Sequence, residues 1–363
     1  MSIPASNSSA SNATSRSQSQ NRAQMRAIRN TVLSIVTTLF VAWIASIYLR
    51  PLYYSLNLSL GQASTEADQP QYPSTIQKFT FEGQPLEIYN VPTESGMRQL
   101  AIIDKSRSES VFIDPATKQR ITWQGSYRSL KRVFNLDPQW PNYPEAAKQL
   151  DFMLYFRNTM IVSLLATIGS VLSGILVAYG IARFRSPYLP TIMGVLQTTL
   201  ILPREVLLVP TYIMFYKIGW VGTWLPLIVP LFFGSSFSIF LLRQFFLAIP
   251  RDLDEAAMLD GANPLQILWK IIVPLAGPAI ISVAIAQFIF TWNDVINPVL
   301  YLAGHDELQM ISPALNRFSS AYGQANPHLT AAAGMLASAL PVCLFLLAQR
   351  PYFRAMMMPG LDK

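Results

Sequence analysis

Long apolar runs separated by short polar connectors dominate the chain. Residues 31–49 carry no charged side chain. A helix of that length crosses the roughly 30 Å hydrocarbon core of a bilayer. The run ends in Tyr48-Leu49-Arg50-Pro51 and not in the small residues of a cleavage site, so it reads as a retained helix and not as a signal peptide. Further runs at 156–182, 189–216, 224–242, 271–302 and 329–348 predict five more crossings. The run at 189–216 is interrupted by Pro203, Arg204, Glu205 and Pro210. The run at 271–302 contains Asp294 and Pro298, so its outer end is predicted to be broken or bent. Proline is tolerated in such helices when neighbours satisfy the freed carbonyls. The reading is an all-α polytopic membrane protein with six transmembrane helices.

One stretch breaks the pattern. Residues 79–89 alternate apolar and polar positions around Gly83, and 99–104, 110–114 and 120–123 continue the alternation. Period two is the signature of half-buried strands. A small β-rich insertion is therefore predicted within 51–150, with its core at about 60–135. It contains no cysteine, so it holds itself by a small core or by packing on a partner.

Composition supports the membrane reading. Hydrophobic residues make up 51% of the 363 positions and charged residues 13%, about half the usual charged share. This excludes an ordinary soluble enzyme and a disordered protein. Residues 1–24, rich in Ser, Asn and Gln, are predicted to be a disordered tail, with helix 1 at 25–50 and a second tail at 350–363. The net charge of +7 lies largely beside apolar segments, which points to membrane orientation and not to nucleic acid. Arg16, Arg22, Arg26 and Arg29, then Arg183 and Arg185, then Arg350 and Arg354 fall on one side of a six-span topology. Both termini and the connector at 243–270 are thus predicted to be cytoplasmic. Residues 50–155, 217–223 and 303–328 fall outside. The lone Cys343 and the isolated His305 and His328 supply neither a metal site nor a nucleophile–base set.

The connector has helix–turn–helix chemistry. Asp252 is predicted to cap a first helix with Glu255 as its capping-box partner. Gly261 supplies a left-handed stop, Asn263 caps a second helix and Pro264 starts it. Ala256 and Ala257 leave a small-residue face on which another protein could approach the backbone. Physics alone leaves open a docking surface or an amphipathic loop lying on the membrane.

The run Glu255-Ala256-Ala257, then Gly261, Ile271 and Pro274, resembles the EAA loop of permease subunits of bacterial ABC importers. Asn142-Tyr143, the segment Ala178 to Phe184, Phe245-Phe246 through Pro250, and Gln287-Phe288 with Thr291 to Asp294 and Pro298 resemble the carbohydrate branch, with its maltose-type and glycerol-phosphate-type members. The resemblance covers most of 140–350. It implies the type I importer permease fold, with a core at 151–349 and a coupling loop at 250–274. It also implies that Asp254, Glu255, Ala256, Ala257, Gly261 and Pro264 couple to a cytosolic ABC ATPase dimer, with Glu255 either facing a basic group on it or capping the docking helix. The further implied partners are a second homologous permease, in a heterodimer, and an extracytoplasmic solute-binding protein; the chain itself is implied to sit in the bacterial inner membrane among its lipids. The chain lacks a phosphate loop of the form G-x-x-x-x-G-K-[ST]. It should bind no cofactor and not be an enzyme by itself, ATP and Mg²⁺ being used by the ATPase.

The insertion departs from the family's short connector between helices one and two. It reads either as a decorated loop or as a docking or gating surface for the binding protein. Charges within spans are costly, roughly 2.5–3.5 kcal/mol or more at the centre. Arg204, Glu205 and Asp294 therefore line a cavity or lie in a helix interface. Trp292, Asn293 and Asn297 offer stacking and amide chemistry suited to a sugar, although a bundle interface would use the same groups. For Asp294 a structural or gating role is favoured over sugar contact. The small-x-x-x-small pairs Gly169/Ser173, Ser170/Gly174 and Gly334/Ser338 predict close helix packing. Competing functions are a secondary transporter or channel, a membrane-anchored adaptor, and an ABC permease for another small polar solute. No internal repeat supports the first, and the broken spans argue against the second.

Overall fold

A computed structural model describes residues 8–61, 73–93, 96–106, 109–323 and 326–357. It resolves into two units, residues 1–57 and residues 58–363.

The first unit is most of α1, Ser8–Ser59. The helix begins well before the expected 25, because no proline or glycine interrupts residues 5–50. Of the expected disordered tail, residues 1–7 lie outside the described residues. Residues 30–59 are long and apolar enough to cross a membrane.

The second unit opens with strands. β1 (Ser74–Ile76) pairs with β8 (Phe134–Leu136). A larger antiparallel sheet has the order β2 (Lys78–Phe81), β3 (Gln84–Thr93), β4 (Gly96–Asp104), β5 (Glu109–Ile113), β6 (Arg120–Gln124), with β7 (Lys131–Arg132) also on β3. Glu82 and Gly83, both at positive φ, make the tight hairpin between β2 and β3. Both faces of this sheet are packed. Tyr89, Val91, Leu100, Ile102 and Phe112 fill one, and Ile88, Ala101 and Ile113 the other. The ends of the strand region are drawn together. The Gln139 amide donates to Leu60 O, and Asn142 Nδ2 donates to Ser59 O at 2.8 Å and Gly61 O at 2.9 Å. The Tyr143 hydroxyl lies 2.9 Å from Ser59 Oγ. Residues 62–72 of the expected insertion lie outside the described residues.

Helices follow: α2 (Asn142–Gln149), α3 (Phe152–Arg183), α4 (Leu189–Ile201), α5 (Arg204–Lys217), α6 (Leu225–Ile228) and, after a 3-10 stretch at Val229–Phe233, α7 (Ser236–Ala248). Next come α8 (Asp252–Leu259), α9 (Pro264–Ile267), a π turn at Leu268–Ile272, α10 (Val273–Leu275), α11 (Gly277–Trp292), α12 (Ile296–Tyr301), α13 (Ile311–Tyr322) and α14 (Pro327–Met357). Among the described residues four helical segments pass as spans by length and apolarity, and up to six if two bent pairs each count as one. One pair is α4 with α5, bent by 103° next to Pro203. The other joins Pro264–Leu275 to α11 at 80°. The expected span at 271 therefore starts at Gly277, because Pro274 and Pro278 lack the N–H groups a straight helix needs there. The expected C-terminal tail from 350 continues α14 to Met357, and 358–363 lie outside the described residues.

α3 is the central strut, and its small residues admit its neighbours. A Cβ on Gly174 would meet Ser238 Cβ and Leu242 Cδ1 at 3.2 Å, and Ser173 Oγ donates to Leu231 O at 2.9 Å. The Gly334/Ser338 pair does not work this way. Nothing lies within 4 Å of a Cβ at Gly334, whereas the alanines Ala332, Ala333 and Ala337 of α14 are buried.

Candidate functional sites: the connector and the cavity

The connector after α7 is built from backbone rules. Arg251 enters α8 already in the helical region, so the amides of Asp254 and Glu255 donate to its carbonyl. Asp252 is therefore the first helical residue and not the cap, and no side chain caps this helix. The expected Asp252–Glu255 capping box is absent. The acids Asp252, Asp254 and Glu255 still complement the positive end of the helix dipole. Gly261, at φ +82°, ends α8. Its amide donates to Met258 O and that of Ala262 to Ala257 O, which is the double bond of a Schellman stop. Asn263 then caps α9 in a reciprocal box with Gln266, each bond 2.9 Å, and Pro264 takes the first helical position. Gln266 as the box partner was missed from sequence, although its place three residues after Asn263 marks it.

The connector has two sides. Inward, Ile267, Leu268 and Ile272 join Ile175, Ala178, Tyr179 and Ala182 of α3 and Leu242 and Phe246 of α7 in one core. Asp254 also faces inward. Its Oδ2 lies 2.9 Å from Arg183 Nε, both side chains being under a tenth exposed. Outward, Leu253, Met258, Leu259 and Leu265 are exposed, Leu259 to 90%, with the exposed carboxylates of Asp252 and Glu255 among them. Glu255 has no ion-pair partner among the described residues. Ala256 faces out and Ala257 packs against the core, so the two do not share one face.

A cavity of about 450 Å³ lies among α5, α6 and its 3-10 continuation, α11 and α12. Its polar lining is Thr211, Ser235, Gln287, Thr291, Asp294, Asn297 and Tyr301, set among Leu207, Phe215 and Phe290. Asp294 and Asn297, both expected from sequence, meet here. Asp294 accepts from Asn297 N at 3.2 Å and Asn297 Nδ2 at 2.7 Å, so it also fixes the start of α12. Gln287 donates to Thr291 Oγ1 at 3.1 Å and accepts from Ser170, which touches Ser238. The Tyr301 hydroxyl is 3.1 Å from Thr211 Oγ1, and its ring packs against Tyr212 and Phe215.

Other expected residues fall elsewhere. Trp292 is buried against α14, its Nε1 donating to Ala337 O at 3.1 Å and its ring packed on Phe156 and Phe288. Asn293 is exposed at the end of α11. Glu205 is exposed in the first turn of α5, outside the cavity lining. The side chain of Arg204 lies outside the described residues. Gln287, Thr211, Ser235, Thr291 and Tyr301 were missed as lining residues. The signal for the first was present: along the sequence Gln287, Thr291 and Asp294 recur at helical spacing, the last just past the end of α11, and Trp292 is turned about 140° from Gln287. No grouping of three or more His, Cys, Asp or Glu able to hold a metal occurs among the described residues.

Comparisons with known proteins agree on the family. The trehalose transport system permease protein SugB of Mycobacterium tuberculosis is 33% identical over 192 residues, covering 52% of this chain and 69% of that protein. The osmoprotective compounds uptake permease protein GgtD of Synechocystis is 29% identical over 217 residues, covering 60% and 72%. The sn-glycerol-3-phosphate transport system permease protein UgpE of Pectobacterium atrosepticum is 29% identical over 205 residues, covering 56% and 73%. A crystal structure of a bacterial ABC transporter that imports the acidic polysaccharide alginate shares the fold. Its TM-score is 0.59 at 18% identity, over 89% of this chain and 96% of that one. The family model matches residues 153–355, more than half of the chain. The chain is thus a member of the binding-protein-dependent transport system inner membrane components.

Proposed function

We propose that the chain is a permease subunit of an ATP-driven ABC importer that brings a carbohydrate or polyol-like solute into the cytoplasm. The observation that carries this reading is the two-sided connector. Its inner side is continuous with the helix core, and its outer side offers exposed leucines and Met258 around free carboxylates. Such a surface has no reason to stay in water and suits an apolar cleft with a basic rim. We assign that cleft to a cytosolic ATPase dimer. Glu255 is the charge partner of the cleft, Gly261 and Pro264 set the elbow, and Asp254 and Ala257 hold the inner side. ATP and Mg²⁺ belong to the ATPase, and this chain binds no cofactor.

The cargo class rests on the relatives, named for trehalose and glycerol phosphate transport, and on a cavity lined by amides, hydroxyls and aromatic rings. Asp294 and Asn297 with Gln287 and Tyr301 form the pathway lining in this reading. A relative named for osmoprotective compounds favours a second reading, import of another small polar solute by the same machinery. A second permease completes the path and an extracytoplasmic binding protein delivers the solute. Both termini lie in the cytoplasm of a bacterial cell and the sheet lies outside, where it meets the binding protein.

The test is purification of the tagged chain in mild detergent, with mass spectrometry of what accompanies it. An ATPase and a second permease are expected with the natural chain, and the ATPase is expected to be lost with Glu255→Ala. Recovery of the chain alone from several mild detergents would refute the importer reading.

A further inference from the structure

We propose that Arg183 and Asp254 form a buried clamp that locks the connector to α3, so that the two move as one rigid lever during transport. The inference rests on the coupling role proposed above and adds a positioning residue, Arg183, that this role does not require.

A single guanidinium gathers three chain ends. Arg183 is the last residue of α3. Its Nη1 and Nη2 each donate to Ile249 O at 3.1 Å, the carbonyl that closes α7. Its Nε lies 2.9 Å from Asp254 Oδ2 in the first turn of α8. The last contact is off-line for a hydrogen bond, so charge holds it. Arg251 Nη2 adds a return bond to Ala182 O at 3.3 Å. A terminal carbonyl without a helical partner is thereby satisfied, and each charge sits at the helix end whose dipole favours it.

Burial makes the arrangement informative. The Arg183 and Asp254 side chains are 5% and 8% exposed. Taking two charges out of water is costly, and an apolar pair of similar volume would pack at least as well. What the charged pair adds is a directional constraint on register. A sliding greasy contact has many near-equal positions, whereas a guanidinium forked on one carbonyl and paired with one carboxylate has one. Asp254 Oδ1 has no hydrogen-bond partner among the described residues, so separating the pair would leave a charge in a dry site. Motion imposed on α8 therefore passes to the end of α3 without slip. Asp254 and Glu255, neighbours in sequence, divide the labour: one faces the lever and the other the ATPase.

The test uses the assembled transporter in lipid, with spin labels at Leu176→Cys on the exposed side of α3 and Asp260→Cys on the connector, in a Cys343→Ser background. The distance between the labels is measured without nucleotide and with ATP bound. The lever predicts one narrow distribution that does not move between the two states. In Asp254→Ala the distribution should broaden and solute moved per ATP hydrolysed should fall about tenfold, within the usual range of coupling between sites. Asp254→Glu, which keeps the charge, should lie between the two. A reproducible shift of the natural distance on ATP binding overturns the proposal, as does an Asp254→Ala protein with a narrow distance and natural coupling. If Asp254→Ala does not assemble, the natural chain's two distances decide alone. Absence of an ATPase from the natural complex would instead refute the coupling role, which separates the two failures.

Discussion

The strand region and the connector both interrupt a run of apolar helices, yet they are held in opposite ways. The strand region carries its own packing on both faces of its sheet. It is tied to α2 through a stem of Asn142, Tyr143 and residues 59–61. The connector has no core of its own. Its buried residues belong to the cluster formed by α3, α7 and α11. The first is therefore built to fold as an appendix to the helices, and the second to move with them. Separate cores allow separate melting, and a shared core does not.

The largest test of this difference is Phe112→Ala. Phe112 is fully buried beside Tyr89, Leu100 and Ile102. Truncating such a ring costs about 3–5 kcal/mol, much of the roughly 5–15 kcal/mol that keeps a domain folded. The sheet should become cleavable by added protease, while the helices still insert and the ATPase still copurifies. Loss of the ATPase together with the sheet would break the comparison, because it would join the two regions into one folding unit.

A smaller effect is expected at Gly261, on the connector side. A Cβ there meets nothing within 4 Å, so only backbone strain at φ +82° opposes a side chain. Holding an ordinary residue in that region costs about 1–2 kcal/mol. Gly261→Ala should lower solute-stimulated ATPase activity several-fold without loss of assembly, and Gly261→Asn should recover most of it, since asparagine tolerates the left-handed region. Equal defects in both variants would mean that the elbow needs an absent side chain and not a permissive backbone.

These positions show which signals the sequence carried. Gly261 and Asn263-Pro264 were legible because their chemistry is local: a positive φ and a cap involve only adjacent residues. The β2–β3 hairpin was legible for the same reason, through alternation around a turn glycine. The breaks near Pro203, Pro274 and Pro278 follow from missing donors, although sequence put the start of α11 several residues early. Asp252 was misplaced as a cap because the dihedrals of Arg251, set by how the chain leaves α7, decide where a helix begins. The cavity was only half legible. A polar group in an apolar span is costly enough to be noticed, but its cost does not say which way it faces. Trp292 turned toward α14, and Gln287 passed as a family mark when it already stood at helical spacing from Asp294. Arg183 and Asp254 are distant in sequence, and nothing in either segment names the other.

The smallest effect sharpens the comparison from the strand side and works through pH. Asp114 sits in the turn between β5 and β6. The Ala116 amide donates to its Oδ1 at 2.8 Å, and Arg98 lies 4.0 Å from its carboxylate. The Ala116 hydrogen bond holds its pKa below the ordinary aspartate value, burial opposes this, and Thr117 and Arg98 add to the lowering. The folded sheet therefore prefers the ionised form more than the unfolded chain does. The stabilisation is fully present above the ordinary value, about pH 4, and is lost as pH falls through the lower folded value. Asp114→Asn should expose the amides of Glu109–Ile113 to faster hydrogen exchange near neutral pH, and the gap to the natural chain should close on acidification below about pH 4. The amides of α8 should not respond in either protein, because that helix shares its core with α3 and not with the sheet. A parallel response in α8 would show that the two regions exchange stability after all, and a gap that widened in acid would mean that Asp114 is held by something other than its charge.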